Sequence, residues 1–217
     1  MKLSKLIFIF YALALLPLPA HAQKDSVADN QSKFSVSVLP LSFLEASGGR
    51  CARVGIEYKL VKRFSHYIDY SYYFPNGWDY SGMSGFRVRT DLRYYFKGDS
   101  SFFSFVGFSF LYKDQRMLFH GSIIDQPNDG SREINFDFTK TVYTADIVFG
   151  NTKKLYKHFF LGYEGGLGMR YRNMVSGLTQ TQLGQLVYPD GLHMNSFPDV
   201  DLTIDIVASF KLVYRIL

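Results

Sequence analysis

The sequence predicts an all-β fold, an eight-stranded antiparallel up-and-down transmembrane β-barrel. Three observations predict it. The N-terminus has the form of an export signal, a period-two alternation of apolar and polar residues recurs eight times after it, and the connections between the alternating segments are short and long in turn.

Residues 1–22 have the three parts of a secretory signal: Lys2 and Lys5 as the basic end, the apolar run from Leu6 to Leu16, and Ala20-His21-Ala22 as a small-x-small cleavage site. The apolar run falls short of the about 20 residues that cross a bilayer, and Pro17 and Pro19 break the segment just after it. Cleavage after Ala22 is expected, in place of an anchor. It leaves 195 of the 217 residues: a polar, aperiodic lead-in at 23–32 and one β-barrel domain at 33–217. Cys51 is the only cysteine, so no intrachain disulfide can form, and it lies too far from the cleavage site for a lipid-modified N-terminus.

Strand one is read over 33–44. Strand two (51–60) sets Ala52, Val54, Ile56, Tyr58 and Leu60 opposite Arg53, Glu57 and Lys59, and strand three comes next at 65–74. Strand four (86–96) sets Phe86, Val88, Leu92, Tyr94 and Phe96 opposite Arg87, Arg89, Asp91 and Arg93. Strands five and six are read over 101–112 and 134–150. Strand seven (158–171) sets Phe159, Leu161, Tyr163, Leu167, Met169 and Tyr171 opposite Glu164, Arg170 and several glycines. The last strand (202–217) alternates most cleanly, with Ile204, Ile206, Phe210, Leu212, Tyr214 and Ile216 on one face. The other face carries Asp205, Lys211 and Arg215, continuing from Asp201.

Short connections are expected at 61–64, 97–100 and 151–157, against connections at 45–50, 75–85, 113–133 and 172–200, three of them long. Outer-membrane barrels have short periplasmic turns and longer external loops. Both chain ends then fall on the periplasmic side with Lys62, Asp99 and Lys153, and Trp78, His120 and His193 fall outside the cell.

Composition narrows the class. The formal charge of +5 becomes +3 once Lys2 and Lys5 are removed, which does not point to nucleic acid. Aromatic residues make up 18% of the chain while mean hydropathy stays near zero. A membrane barrel places such rings on its lipid face and in two interfacial girdles. Two groups sit at suitable strand ends: Tyr70, Tyr72, Tyr73, Phe74, Trp78 and Tyr80, and Tyr94, Tyr95, Phe96, Phe102 and Phe103.

The polar faces together predict a charge network inside the barrel. Its bases are Arg53, Lys59, Arg87, Arg89, Arg93, Lys140, Arg170, Lys211 and Arg215; its acids are Glu57, Asp69, Asp91, Asp146, Glu164, Asp201 and Asp205. Nine bases nearly cancel seven acids, as a narrow interior requires when an unpaired buried charge costs several kcal/mol. Eight strands enclose a space about wide enough for side chains to fill, so no open channel is expected. Folding the last two strands about their loop brings Glu164 near Lys211 and Arg170 near Asp205 as ion pairs, and exchanging the charges of the first pair should preserve part of its stability.

Candidate chemistry is thin. His120, Ser122 and Asp125 could supply base, nucleophile and orienting acid for acyl transfer, but their spacing matches no hydrolase motif. His193 lies near Asp190 and Asp199, yet Tyr188-Pro189-Asp190-Gly191 reads first as a turn. The tract 125–130 has the composition of a calcium loop without its spacing. His66 and His158 stand at strand starts. The glycines at 162, 165, 166 and 168 precede no helix and read as space for Arg170 and large neighbours. No catalytic, cofactor-binding or metal-ligating residue is assigned.

On the signal segment, the eight alternating strands, the connection lengths and a closing strand that ends in Phe210, Leu212, Tyr214 and Ile216, the mature chain resembles the small eight-stranded outer-membrane β-barrels of the OmpA and OmpX type. Members commonly end on Phe, whereas this chain ends on Leu217. The resemblance implies a porin-like fold at the cell surface of a Gram-negative bacterium, with outer-membrane lipids and the barrel-insertion machinery as partners. Activity varies widely across such proteins. Three functions stay open: a non-enzymatic barrel, structural or engaging an extracellular ligand or surface through its loops; a lipid-modifying enzyme; and a soluble periplasmic ligand-binding barrel, whose strands alternate identically with the opposite dressing.

Overall fold

The computed structural model describes residues 33–40, 51–74, 83–96, 102–123, 131–187 and 200–216. The expected signal segment and lead-in lie outside them, as do Trp78, Asp99, Asp125, Asp190, His193 and Asp199. The elements are β1 (Phe34–Val38), β2 (Cys51–Val61), β3 (Phe64–Tyr73), β4 (Met83–Tyr95), β5 (Phe102–Ile123), β6 (Arg132–Tyr156), β7 (Phe159–Ser176), a short helix α1 (Gln180–Gly184), β8 (Leu186–Val187) and β9 (Val200–Ile216).

Every pairing is antiparallel. Each strand from β1 to β6 pairs with the next, and β9 pairs with both β7 and β1, so hydrogen bonding closes into a ring of eight strands. The ninth strand, β8, has two residues and adds to β5 at Ser122 and Ile123. Residues 62–63 join β2 to β3, and residues 157–158 join β6 to β7, with Lys157 at φ 39°.

Three strands outrun their expected limits by five residues or more. β6 continues through Tyr156, so 151–157 is mostly strand: Asn151, Thr152, Lys153 and Lys154 look like loop by composition, but all pair with β7. β5 passes residue 112 and β7 passes residue 171, because the alternation continues through their polar residues. Lys113 and Gln115 are buried on the inward face, while exposed Arg116 meets Asp137 on the outward one. Beyond the last pairs with β4 and β7, at Met117 and Phe138, the β5–β6 hairpin runs on through Leu118–Asp137 to Ile123–Arg132, joined only near its tip by the two residues of β8. Six residues at 3.3 Å each make an overhang of about 20 Å.

Side chains alternate between a packed inside and an open outside. Toward the short connections the inside holds Tyr95, Phe103, Phe105, Val148, Phe160 and Val213; a second cluster, Met117, Ile123, Phe136, Phe138 and Met174, runs from the foot of the overhang to its tip. The outside carries exposed apolar residues on every strand of the ring, reaching 76% exposure at Ile204. The two expected aromatic girdles need correction here. Tyr73, Tyr95 and Phe103 are buried inside the ring, because consecutive residues of a strand point to opposite faces and two adjacent rings cannot both face out.

Candidate functional site: the charged interior

The ring's interior is filled on one half and hollow on the other. The filled half, toward the short connections, is built on Arg89, Asp91 and Arg93 of β4. All three share a face by period two, and Asp91 sits between the guanidinium groups, with Arg89 Nε donating to it at 2.7 Å and Arg93 Nε at 3.1 Å. Both arginines reach across to Glu164 of β7, at 2.6 and 3.1 Å, and Lys211 of β9 meets the same carboxylate at 3.1 Å. Glu57 of β2 completes this group. It accepts from Arg93, from the Tyr95 hydroxyl at 2.6 Å and from Ser65.

Aromatic rings seal the network. The Arg93 guanidinium lies 3.8 Å from the Tyr67 ring centre and 4.5 Å from that of Phe105, and Lys211 Nζ lies 4.3 Å from Tyr67. Such contacts replace lost hydration with the negative face of the ring. Glycines supply the room. A Cβ on Gly162 would stand 2.8 Å from Lys211 Cγ, and one on Gly168 would collide with Asp146. The space is thus taken by Lys211 and Asp146 in place of Arg170, and Gly165 faces outward, against the expectation that all four glycines line the interior.

Toward the long connections lies a cavity of about 880 Å³. Arg89 and Glu164 form its floor. Arg53 grips Asp69 with two hydrogen bonds, at 3.1 and 2.7 Å, while Arg87 approaches that acid only to 3.8 Å. Across the cavity Arg170 pairs with Asp205 and Arg172 with Asp201. Asp146 accepts from Thr144 at 2.8 Å. The remaining members of the expected network, Lys59 and Arg215, stand at the short-connection end, the latter with its guanidinium 3.9 Å from the Phe160 ring centre. Lys140 lines the cavity.

Two inward-facing bases escaped the sequence reading, Lys113 and Arg172. Both lie just past the strand ends assumed for strands five and seven, and the unbroken alternation was the signal that could have found them. They raise the interior bases to eleven against the same seven acids among the described residues, so the interior is basic and the expected near-cancellation fails.

The other candidates stay apart from this site. His66 lies on the outer face between the Tyr58 hydroxyl at 3.1 Å and Thr90 Oγ1 at 2.6 Å. His158 stands in the turn after β6, with its ring centre 6.0 Å from that of Tyr214. His120 and Ser122 belong to the β5 overhang. Among the described residues no group of three or more His, Cys, Asp or Glu could hold a metal ion. Comparisons with protein-family models, with curated proteins and with solved structures each return no match.

Proposed function

We propose that this chain is an outer-membrane β-barrel protein without enzymatic activity, acting structurally or in surface interaction through its external loops. The observation that carries this reading is the inverted dressing of the ring. Arg89, Asp91, Arg93, Glu164 and Lys211 are buried within it, while Ile204, Ile206, Ile147, Phe149 and Leu167 stand more than half exposed on its outside. Water would penalise both arrangements: buried charges lose hydration, and a continuous apolar surface of this extent is rare on a soluble monomer. Lipid around the ring removes the second penalty, and the internal ion pairs offset the first.

Strand lengths support the same reading. β3 has 10 residues and β2 has 11, which matches a tilted strand crossing a bilayer. A closed ring leaves no unpaired edge in lipid. A soluble ligand-binding barrel would turn its apolar face inward.

Membrane fractionation tests the proposal. The protein should stay with the outer membrane through a urea or carbonate wash and leave it only in detergent, with Gln23 as its first residue. Recovery in the soluble periplasmic fraction would overturn it. A lipid A profile unchanged by deletion of the gene is expected, whereas a changed acylation pattern would turn the reading to a lipid-modifying enzyme.

A further inference from the structure

We propose that the interior cavity is a binding site for an anionic saccharide, a sugar bearing phosphate or carboxylate. The inference rests on the inside of the ring and stands whether or not the outside meets lipid.

Volume comes first. About 880 Å³ falls within the range of small-molecule sites, roughly 300–1,000 Å³. It exceeds what a lone phosphate needs.

Charge sets the sign of the ligand. The lining includes seven Arg or Lys residues and four Asp or Glu residues. Three of these bases stand on successive strands: Arg87 on β4, Lys113 on β5 and Lys140 on β6. Arg87 and Lys113 are direct register partners, and Lys140 faces Gln115, the next inward position of β5. Both Arg87 and Lys113 are 8% exposed. Like charges directly opposite each other in a sheet repel; Lys113 Nζ rests 4.7 Å from the Tyr73 ring centre, and Asp69, the acid beside Arg87 among the described residues, is already gripped by Arg53. Arg87 Nε, buried, has no hydrogen-bond partner. An anionic group against this wall would offset the repulsion between Arg87 and Lys113.

Chemistry around the rest of the cavity sets the ligand's body. Thr144, Thr203, Ser209, Asp146, Asp201 and Asp205 stand among the bases of the lining. Donors and acceptors thus lie side by side around the cavity, and each sugar hydroxyl can serve one of each kind. Among the described residues the aromatic member of the lining is Phe210, which belongs to the exposed face of β9, so they offer no inward platform on which a nucleobase would stack.

Calorimetry on the full mature chain, folded in detergent micelles, tests this with glucose 6-phosphate, trigalacturonate, maltotriose and inorganic phosphate, and with phosphatidylinositol 4-phosphate in mixed micelles. Saturable binding of a charged sugar, weakened by salt and stronger than that of maltotriose or phosphate, is expected. Binding of the lipid-borne probe alone would keep the chemistry and assign a membrane source to the ligand. Arg87→Gln and Lys113→Gln, each checked for folding by heat-dependent gel mobility, should weaken binding about tenfold or more, and Lys153→Gln on the outer face should not. Absence of saturable binding of every charged probe, free or lipid-borne, at millimolar concentration in the unmodified protein would overturn the proposal, whatever the variants do. Equal binding of maltotriose, or undiminished binding by the folded Arg87 and Lys113 variants, would overturn it too.

Discussion

Lys211 Nζ lies 3.1 Å from Glu164 Oε2, yet the two residues are not register partners: across β7 and β9, Lys211 faces Gly162 and Glu164 faces Ser209. The diagonal contact exists because Gly162 has no side chain. The Lys211 stem crosses the empty position and delivers its ammonium one step along the strand, to a carboxylate that Arg89 and Arg93 also hold.

Sharing makes the two partners unequal. Glu164→Ala deprives three bases of their common acid and should cost about 3–5 kcal/mol, whereas Lys211→Ala leaves Glu164 with two guanidinium groups and should cost roughly half of that or less. The exchange expected from the pair alone should fail for the same reason. Glu164→Lys with Lys211→Glu would place an ammonium against Arg89 and Arg93, and the double variant should be no more stable than Glu164→Ala. Fraction folded in urea, read by heat-dependent gel mobility, ranks the variants. Recovery in the double variant would mean that the arginines do not reach residue 164.

Gly55 supports a ring on the neighbouring wall. A Cβ there would meet Tyr67 Cζ at 2.6 Å and Ser37 Oγ at 2.7 Å, so Gly55→Ala should push Tyr67 off Arg93 and Lys211. A loss of about 1–3 kcal/mol is expected, the usual cost of overpacking. Gly165→Ala, whose nearest contact would be 3.7 Å away, serves as the comparison and should change the unfolding midpoint far less.

Most of this interior was legible in the sequence because strand alternation has a period of two and needs no knowledge of the partner strand. Arg87, Arg89, Asp91 and Arg93 declare their face by spacing alone. What alternation cannot give is where a strand stops. Lys113 and Arg172 were missed because a run of polar residues resembles a loop when its pairing partners are unknown. Nor can it give the diagonal geometry that lets Glu164 serve three bases, since that depends on which positions across the sheet are glycine. The cavity was illegible for a similar reason: an interior half full and half hollow arises from side-chain reach, and spacing carries no information about reach.

Orientation is testable by labelling intact cells with an impermeant thiol reagent in a Cys51→Ser background. Cysteine at Arg132, at the tip of the overhang, should react, as should cysteine at Trp78 or His193. Cysteine at Lys62 or Lys153, toward the short connections, should not react until the outer membrane is opened. The reverse pattern would invert the proposed topology.

Conductance reads the filled half. Arg89 and Arg93 span from β4 to Glu164 of β7, and Lys211 closes the gap to β9, so ions meet a barrier of paired charges below the cavity. Planar bilayers holding the protein should show no large steady conductance. A steady open level would mean that this network parts in the membrane.

The seam between β1 and β9 bears on how the chain reaches this state. It joins residues about 180 positions apart, such as Val36 and Tyr214, through five register pairs from Phe34–Ile216 to Val38–Leu212, while β7 and β9 share fifteen. The hairpins β2–β3, β4–β5 and β6–β7 close over short connections and can form early. The seam closes the longest loop in the molecule with only five register pairs among the described residues, and it should therefore be the slow, final event of folding. Until then β1 and β9 are bare edges able to pair with any strand they meet, including those of a second copy. The hazard of misassembly is therefore concentrated at the two ends of the chain, and it lasts as long as the seam takes to find itself.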